Sequence, residues 1–297
     1  MDKFLNLVVS GGFLGIVYAF IALGFVFIYK STKVLNLSQG WLIALFAYLG
    51  FLVGDWIPSL PFPAVVVVVL IIAAFVAVGI ERFVMRPLVG QPMFASVIVT
   101  LAIGFILQAI VMLTTSGYPK TLPVFLPEGV WHLGPVAVTQ AYVVAAVFIL
   151  LIFLACVLFY RRTRMGIALR AVAEDSIIAG TTGISVAVSF RISWIIGCLL
   201  ATLAGLILGG LYSTVSPDFA LYGIGKGLPV ILLGGLESIP GALVGGLIVG
   251  ISEVLAAGYI DELMGGGVRE VVPFILMLLI LLFRPYGIFG EERIERV

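Results

Sequence analysis

Residues 4–29 read FLNLVVSGGFLGIVYAFIALGFVFIY. The stretch holds no Asp, Glu, Lys or Arg, and a helix of about 20 such residues crosses about 30 Å of hydrocarbon. The same gap between charges recurs at 34–54, 56–80, 87–119, 133–160 and 192–217. A charge at mid-bilayer costs about 2.5–3.5 kcal/mol on the insertion scale, and gaps of this length are what such a cost produces. Hydrophobic residues make up 62% of the 297 positions and charged residues 10%, against roughly a quarter in soluble domains. Membrane strands need only about ten strictly alternating residues. These longer runs therefore predict an all-α, polytopic bundle forming a single transmembrane domain over 1–297. The first apolar run follows Met1 with no small-residue cleavage site, so it reads as a retained span rather than a removed signal.

Spans are expected near 5–29, 37–54, 62–82, 94–114, 139–160 and 190–214. The remainder, 222–286, holds a Gly/Pro-interrupted piece at 225–240, an apolar stretch at 240–257 and a last span near 270–286. That gives eight or nine crossings. Arginine and lysine set the sides. Arg161, Arg162, Arg164, Arg170 and Arg191 are the densest positive cluster and place their loop in the cytoplasm, together with Lys30, Lys33, Arg82 and Arg86. Segment 115–138, with Lys120, Glu128, His132 and four prolines, is then external. The tail, with Arg284, Arg293 and Arg296, reads as cytoplasmic. An external N-terminus with that tail requires nine crossings; a re-entrant 225–240 would give eight and move the tail outside.

The net charge of +1 argues against nucleic acid as a partner, since no basic patch is long enough to track phosphates. Cys156 and Cys198 lie inside apolar spans and read as small buried hydrophobes, without disulfide or metal spacing. No phosphate-binding loop, H-E-x-x-H or nucleophile–base pair occurs. No cofactor, metal or catalytic residue is expected in this chain, and any ATP-driven step would belong to another subunit.

Three features carry mechanism. The first is RRTRMGIALRAVAEDSIIAGTTGIS, Arg161 to Ser185. Gly166 is expected to break the helix leaving the membrane, with a new helix from about Ile167 to Ala179. Its apolar face would be Leu169, Val172, Ala173 and Ile177, and Arg170 and Glu174 would stand opposite at i, i+4 spacing. Gly183 would end it. Such a helix lies at the membrane surface or docks in a groove on a cytosolic partner; the plainer reading is a solvated basic loop that fixes topology. The second is LPVILLGGLESIPGALVGGLIVGISE, Leu228 to Glu253. Pro229 and Pro240 frame short pieces, while Gly234, Gly235, Gly241, Gly245, Gly246 and Gly250 leave smooth surfaces for close helix packing. Interrupted helices also expose backbone dipoles to a polar route. The third is Asn36-Leu37-Ser38-Gln39-Gly40. Asn36 or Ser38 would cap the second span, and the polar set Asn36, Ser38 and Gln39 is a candidate for the pathway or its gate.

Gln108 within a span should face the bundle interior, because lipid cannot satisfy its amide. Glu237 reads as interfacial. Glu253 is the candidate ionisable mid-span residue. His132 beside Trp131 reads as part of an aromatic belt, which weakens a proton-driven mechanism.

Taken together, NLSQG, VTLAIGFILQ, GIALRAVAEDSIIAGTTGISV and LLGGLESIPGALVGGLIVGISE, in that order and with ordinary spacing, resemble the permeases of branched-chain amino acid ABC transporters, of the LivH type. The resemblance implies a fold like the type II importers, a LivM-like second permease, two cytosolic ATPases that hold ATP and Mg, and a periplasmic or tethered solute-binding protein. It also implies a bacterial or archaeal cytoplasmic membrane location. The family's coupling helix maps onto Gly166, Ala168, Arg170, Ala171, Ala173, Glu174, Asp175, Gly183 and Ile184, within a coupling segment at 161–189. Members similar to this chain also serve urea, short amides and aromatic acids. Gly180-Thr181-Thr182 is more polar than the aliphatic family version, and Ser38-Gln39 stands where Ala-His is usual. The alternative is a self-sufficient secondary carrier or channel, which would need an ionisable mid-span residue such as Glu253. A membrane scaffold needs no interrupted helices.

Overall fold

The computed structural model describes residues 2–122, 125–133 and 136–290; Arg293 and Arg296, used above to place the tail, lie outside the described residues. In chain order the elements are α1 (Asp2–Thr32), α2 (Gln39–Trp56), α3 (Phe62–Ile80), α4 (Met93–Thr115), β1 (Lys120–Thr121), β2 (Val130–Leu133), β3 (Val136–Thr139) and α5 (Gln140–Arg162). There follow α6 (Arg164–Glu174), α7 (Ser176–Thr181), α8 (Val186–Tyr212), β4 (Thr214–Val215), α9 (Phe219–Gly234), α10 (Ile239–Tyr259), α11 (Asp261–Met264) and α12 (Val268–Phe283). A π-helical turn, Glu81–Met85, and a 3-10 turn, Arg86–Leu88, continue α3.

Among the described residues, seven helices are long and apolar enough to cross a membrane: α1, α2, α3 with its continuation to Leu88, α4, α5, α8 and α10. The expected pieces at 225–240 and 270–286 fall on α9 and α12, each only 16 residues long. Proline and serine set the ends. Pro61 and Pro92 stand at the N-caps of α3 and α4, where a missing N–H costs nothing. Ser185 and Ser238 cap α8 and α10, their hydroxyls accepting from Val188 N–H and Gly241 N–H.

The chain divides into two compact units, each drawn from separated segments. One comprises Phe27–Pro127 and Leu151–Ile224. Here α2 is central, packed against α3, α4 and α8. Side chains on α2 from Gln39 to Tyr48 are buried without a break, so this helix is enclosed on all sides rather than along one stripe. Backbones approach closely around it: a methyl on Gly205 of α8 would run into the Ile43 carbonyl, and one on Gly104 of α4 into the Trp41 ring. A methyl on Gly223 would lie 2.9 Å from Gly40 Cα. β1 pairs antiparallel with β4, Lys120 opposite Val215.

The other unit comprises Met1–Val26, Glu128–Leu150 and Gly225–Val297. α10 packs against α12 and, through glycines, against α1. A methyl on Gly15 would come 2.8 Å from Leu247 Cα, and one on Gly11 2.7 Å from Ile251 Cα. Gly246 and Gly250 face those same α1 glycines in return. Gly234 and Gly241 stand back to back where α9 turns into α10, and a methyl on Gly245 would lie 2.7 Å from the Val230 carbonyl. Gly235, at φ +107°, ends α9. Ile288 and Phe289 N–H then donate to the Leu233 and Gly234 carbonyls at 2.8 and 3.1 Å, satisfying groups that the helix end leaves over. β2 and β3 form a hairpin, and Ala137 N–H donates to Asn6 Oδ1 at 2.9 Å.

Candidate functional site

The break between α5 and the helix that follows it falls at Thr163, not at Gly166 as expected. Thr163 is extended, and its Oγ1 accepts from Gly166 N–H at 2.9 Å, so α6 starts two residues before that glycine. Gly166 serves a different end: a methyl there would collide with the Phe159 and Tyr160 carbonyls, so only glycine lets α6 fold back onto α5. Arg170 secures the same corner. Its Nη1 donates to the Tyr160 carbonyl at 2.7 Å, and its guanidinium carbon lies 5.6 Å from the Tyr160 ring centroid.

The single helix expected over 167–179 is two. Asp175 turns extended, and its Oδ1 accepts from Ile177 and Ile178 N–H at 2.8 and 2.9 Å, ending α6 and capping α7. Leu169 and Val172 are buried, with Ala168, Ala171 and Ala173 half-buried. Ile177 does not join them: it is 78% exposed and Ile178 62%, because the break at Asp175 resets the helical phase. Glu174 and Gly183 are exposed, and Ile184 N–H donates to the Ala179 carbonyl at 3.0 Å. The segment therefore presents two isoleucines beside Glu174 and Asp175, on a frame with a cap at each corner.

Next to this segment, Arg191 of α8 and Arg86 both reach Glu81, with Nε–Oε distances of 3.3 and 3.2 Å. Glu81 is 1% exposed. The π-helical turn that begins at Glu81 inserts an extra residue and shifts the register of the helix there.

Asn36, Ser38 and Gln39 form a closed hub. Asn36 Oδ1 accepts from Ser38 N–H and Oγ–H at 3.1 and 2.5 Å, and Asn36 Nδ2 donates to Gln39 Oε1 at 3.2 Å. Gln39 Nε2 donates to the Gly197 carbonyl of α8 at 3.1 Å. Thr100 of α4 accepts from Leu37 N–H at 3.2 Å. Ser38 occupies the N-cap of α2, yet its side chain caps nothing: its backbone is already helical, at φ -70° and ψ -6°, and its hydroxyl donates to Asn36. All three residues are buried; Asn36 and Ser38 bond within the turn, and Gln39 joins the start of α2 to α8. Gln108 is half-buried on α4.

In the other unit Glu253, 0% exposed, receives three donors. Tyr18 Oη lies 2.8 Å from Oε1, Arg269 Nε 2.7 Å from Oε1 and Lys226 Nζ 3.1 Å from Oε2. Lys226 also pairs with Glu270 at 3.1 Å. Helices α1, α9, α10 and α12 thus converge on two cations and two anions. Pro229, buried in α9, removes the donor that the Gly225 carbonyl would otherwise use. The charged face of the cluster lies just before this interruption.

The profile of the family described as branched-chain amino acid transport system / permease component matches residues 7–281. The chain belongs to this family. The permease is 31% identical to the high-affinity branched-chain amino acid transport system permease protein BraD of Pseudomonas aeruginosa, over 99% of this chain and 98% of that one. It is 32% identical to the LivH permease of Escherichia coli K12 over the same shares. It is 30% identical to a probable LivH of Methanocaldococcus jannaschii, over 92% of this chain and 88% of that one. Among the described residues no group of His, Cys, Asp and Glu could hold a metal ion in the permease.

Two buried ionisable groups escaped the sequence reading: Lys226 and Glu81. Lys226 is a lone charge inside an apolar run, and Glu81 stands at the end of one, directly before Arg82. The available signal was physical, since an ionisable residue inside a span requires a partner. Lys226 with Glu253, and Glu81 with Arg191, are those pairs.

Proposed function

We propose that the permease is the pore-forming subunit of an ABC importer that moves branched-chain amino acids or related small organic solutes across a bacterial or archaeal cytoplasmic membrane. The observation that carries this reading is the capped α6–α7 segment. Thr163, Gly166 and Arg170 fix α6 to the end of α5, while Ile177, Ile178 and Glu174 stay exposed. A rigid, outward-facing apolar pair flanked by acids suits a groove on a cytosolic ATPase. ATP and Mg would be held by two such subunits. A LivM-like second permease and a solute-binding protein complete the assembly. ATP-driven closure of the ATPases would move α6–α7 and, through α5 and α8, switch the helices between two packed arrangements.

A secondary carrier would need a carboxylate able to gain and lose a partner during transport. Glu253 instead accepts three hydrogen bonds from three different helices, which favours a structural duty.

The test is purification of the tagged chain from native membranes, together with Ile177→Asp and Glu174→Lys variants. The expected result is recovery of two ATPases and a second permease with the native chain, and loss of ATPase recovery or of coupled uptake in the variants. Recovery of the chain alone, still active in vesicles without ATP, would remove the reading.

A further inference from the structure

The chain from α8 into α9 turns back inside the bundle. Gln39 Nε2 donates to the Gly197 carbonyl, near the middle of the 27-residue α8. A methyl on Gly40 would run into the Ala220 carbonyl, so α9 begins at that same level. Tyr212, the last residue of α8, lies about 22 Å farther along that helix, at about 1.5 Å per residue. Residues 213–219 therefore return halfway across the span as largely non-helical chain, Thr214 and Val215 pairing with Thr121 and Lys120. Such backbone at membrane depth persists only where protein buries it or where it lines a water-filled route.

The two sides of this segment differ. Val215 and Pro217 are buried, whereas Tyr212, Asp218 and Leu221 are exposed, Leu221 to 69%. Asp218 Oδ2 accepts from Ser216 Oγ at 3.0 Å, and no cation among the described residues pairs with it. A carboxylate facing hydrocarbon at mid-span is costly, so this side of the chain faces a polar space rather than lipid. Leu221 follows Asp218 at i, i+3 spacing in the first turn of α9. Tyr222 is next in sequence, its hydroxyl 3.1 Å from that of Tyr212 and the two ring centroids 6.2 Å apart. One anion beside an aliphatic side chain and two phenol rings is a set that suits a small apolar ammonium compound.

We infer that this strip is a solute site on the transport route: Asp218 receives the ammonium group of an amino acid, and Leu221 and the Tyr212 ring receive its aliphatic side chain. That the occupant is the transported solute rests on the proposed function.

The experiment uses membrane fragments, open on both faces, that carry the full assembly with Leu221→Cys in a Cys156→Ser background; Cys198 is buried and stays in place. It follows labelling of the chain by membrane-impermeant cationic and anionic methanethiosulfonates. Both are expected to label, the cationic reagent about tenfold or more faster, because Asp218 attracts one charge and repels the other. Asp218→Asn, which keeps an oxygen for Ser216, removes the preference. L-leucine and L-leucinol, which carry the ammonium group, slow the labelling; 4-methylpentanoate, which lacks it, does not, and Asp218→Asn loses the protection. Absence of labelling, equal rates with the two reagents, or equal protection by 4-methylpentanoate overturns the site. Loss of the second permease from the Asp218→Asn or Leu221→Cys assembly would show a subunit contact here and overturns it too. Labelling and protection are read without ATP or uptake, so a chain that fails to transport counts against the transport reading and leaves labelling to decide the site.

Discussion

Lys226 Nζ lies 3.1 Å from Glu253 Oε2, and neither side chain is more than 2% exposed. The pair joins α9 to α10, and Arg269 and Tyr18 bring α12 and α1 to the same carboxylate. A buried charge that loses its partner is costly, about 3–5 kcal/mol, whereas removing both partners costs less. Glu253→Leu leaves Lys226 and Arg269 facing each other with Glu270, which is 72% exposed, as remaining anion. Lys226→Met leaves Glu253 with two donors. The expected order of melting temperature in detergent is native, then Lys226→Met, then Glu253→Leu, with Lys226→Met/Glu253→Leu above Glu253→Leu alone. A double variant that melts below both singles would refute the pairing argument.

Gly15 and Gly12 sit on the same helix with opposite surroundings. A methyl on Gly15 meets the α10 backbone, and one on Gly12 meets nothing within 4 Å. Gly15→Leu is expected to abolish recovery of monodisperse protein by size-exclusion chromatography, and Gly246→Leu to do the same from the α10 side. Gly12→Leu should elute as the native chain does.

Asn36 is 1% exposed, and its amide serves both Ser38 and Gln39. Asn36→Leu has similar volume but strands those groups, at about 1–3 kcal/mol for each buried polar group left unpaired. Ser38→Ala removes one donor whose acceptor keeps Ser38 N–H, so its cost is smaller. Thermal melting should rank Ser38→Ala near the native chain and Asn36→Leu well below it.

Thr163 is the cap on which the α5–α6 corner turns. Thr163→Ala is expected to cost about 1 kcal/mol, the usual worth of a cap, and Thr163→Ser almost nothing. Gly166→Val would force α6 off the end of α5. Membrane insertion should persist in both Thr163→Ala and Gly166→Val, while ATP-dependent uptake falls modestly in the first and is lost in the second. Full uptake by Gly166→Val would show that the corner does not transmit force.

The spans were readable because local rules fix them. Hydrocarbon thickness sets their length and the cost of charge sets their limits, so 94–114 was expected and Met93–Thr115 is found. Where the local signal was weaker, the reading slipped. Gly166 looked like a helix breaker, but Thr163 and Asp175 hold the caps, and a glycine in a helix can instead mark a close approach. Ile177 fitted a continuous helical face until Asp175 interrupted the phase. Arg86 and Arg191 were counted as markers of side; they also clasp a buried carboxylate.

Charge spacing, span lengths and the order of the glycine-rich and coupling motifs were therefore enough to establish an all-α membrane protein of this family. Each of those properties is written over a few turns of chain. Tertiary structure alone decided which groups meet: Tyr18 with Glu253, 235 positions apart, Glu81 with Arg191, 110 apart, and Gln39 with the Gly197 carbonyl, 158 apart. Inside a bilayer a polar group has no water to turn to, so it must find a partner. Which partner it finds depends on how helices distant in sequence pack side by side, and no local pattern carries that information.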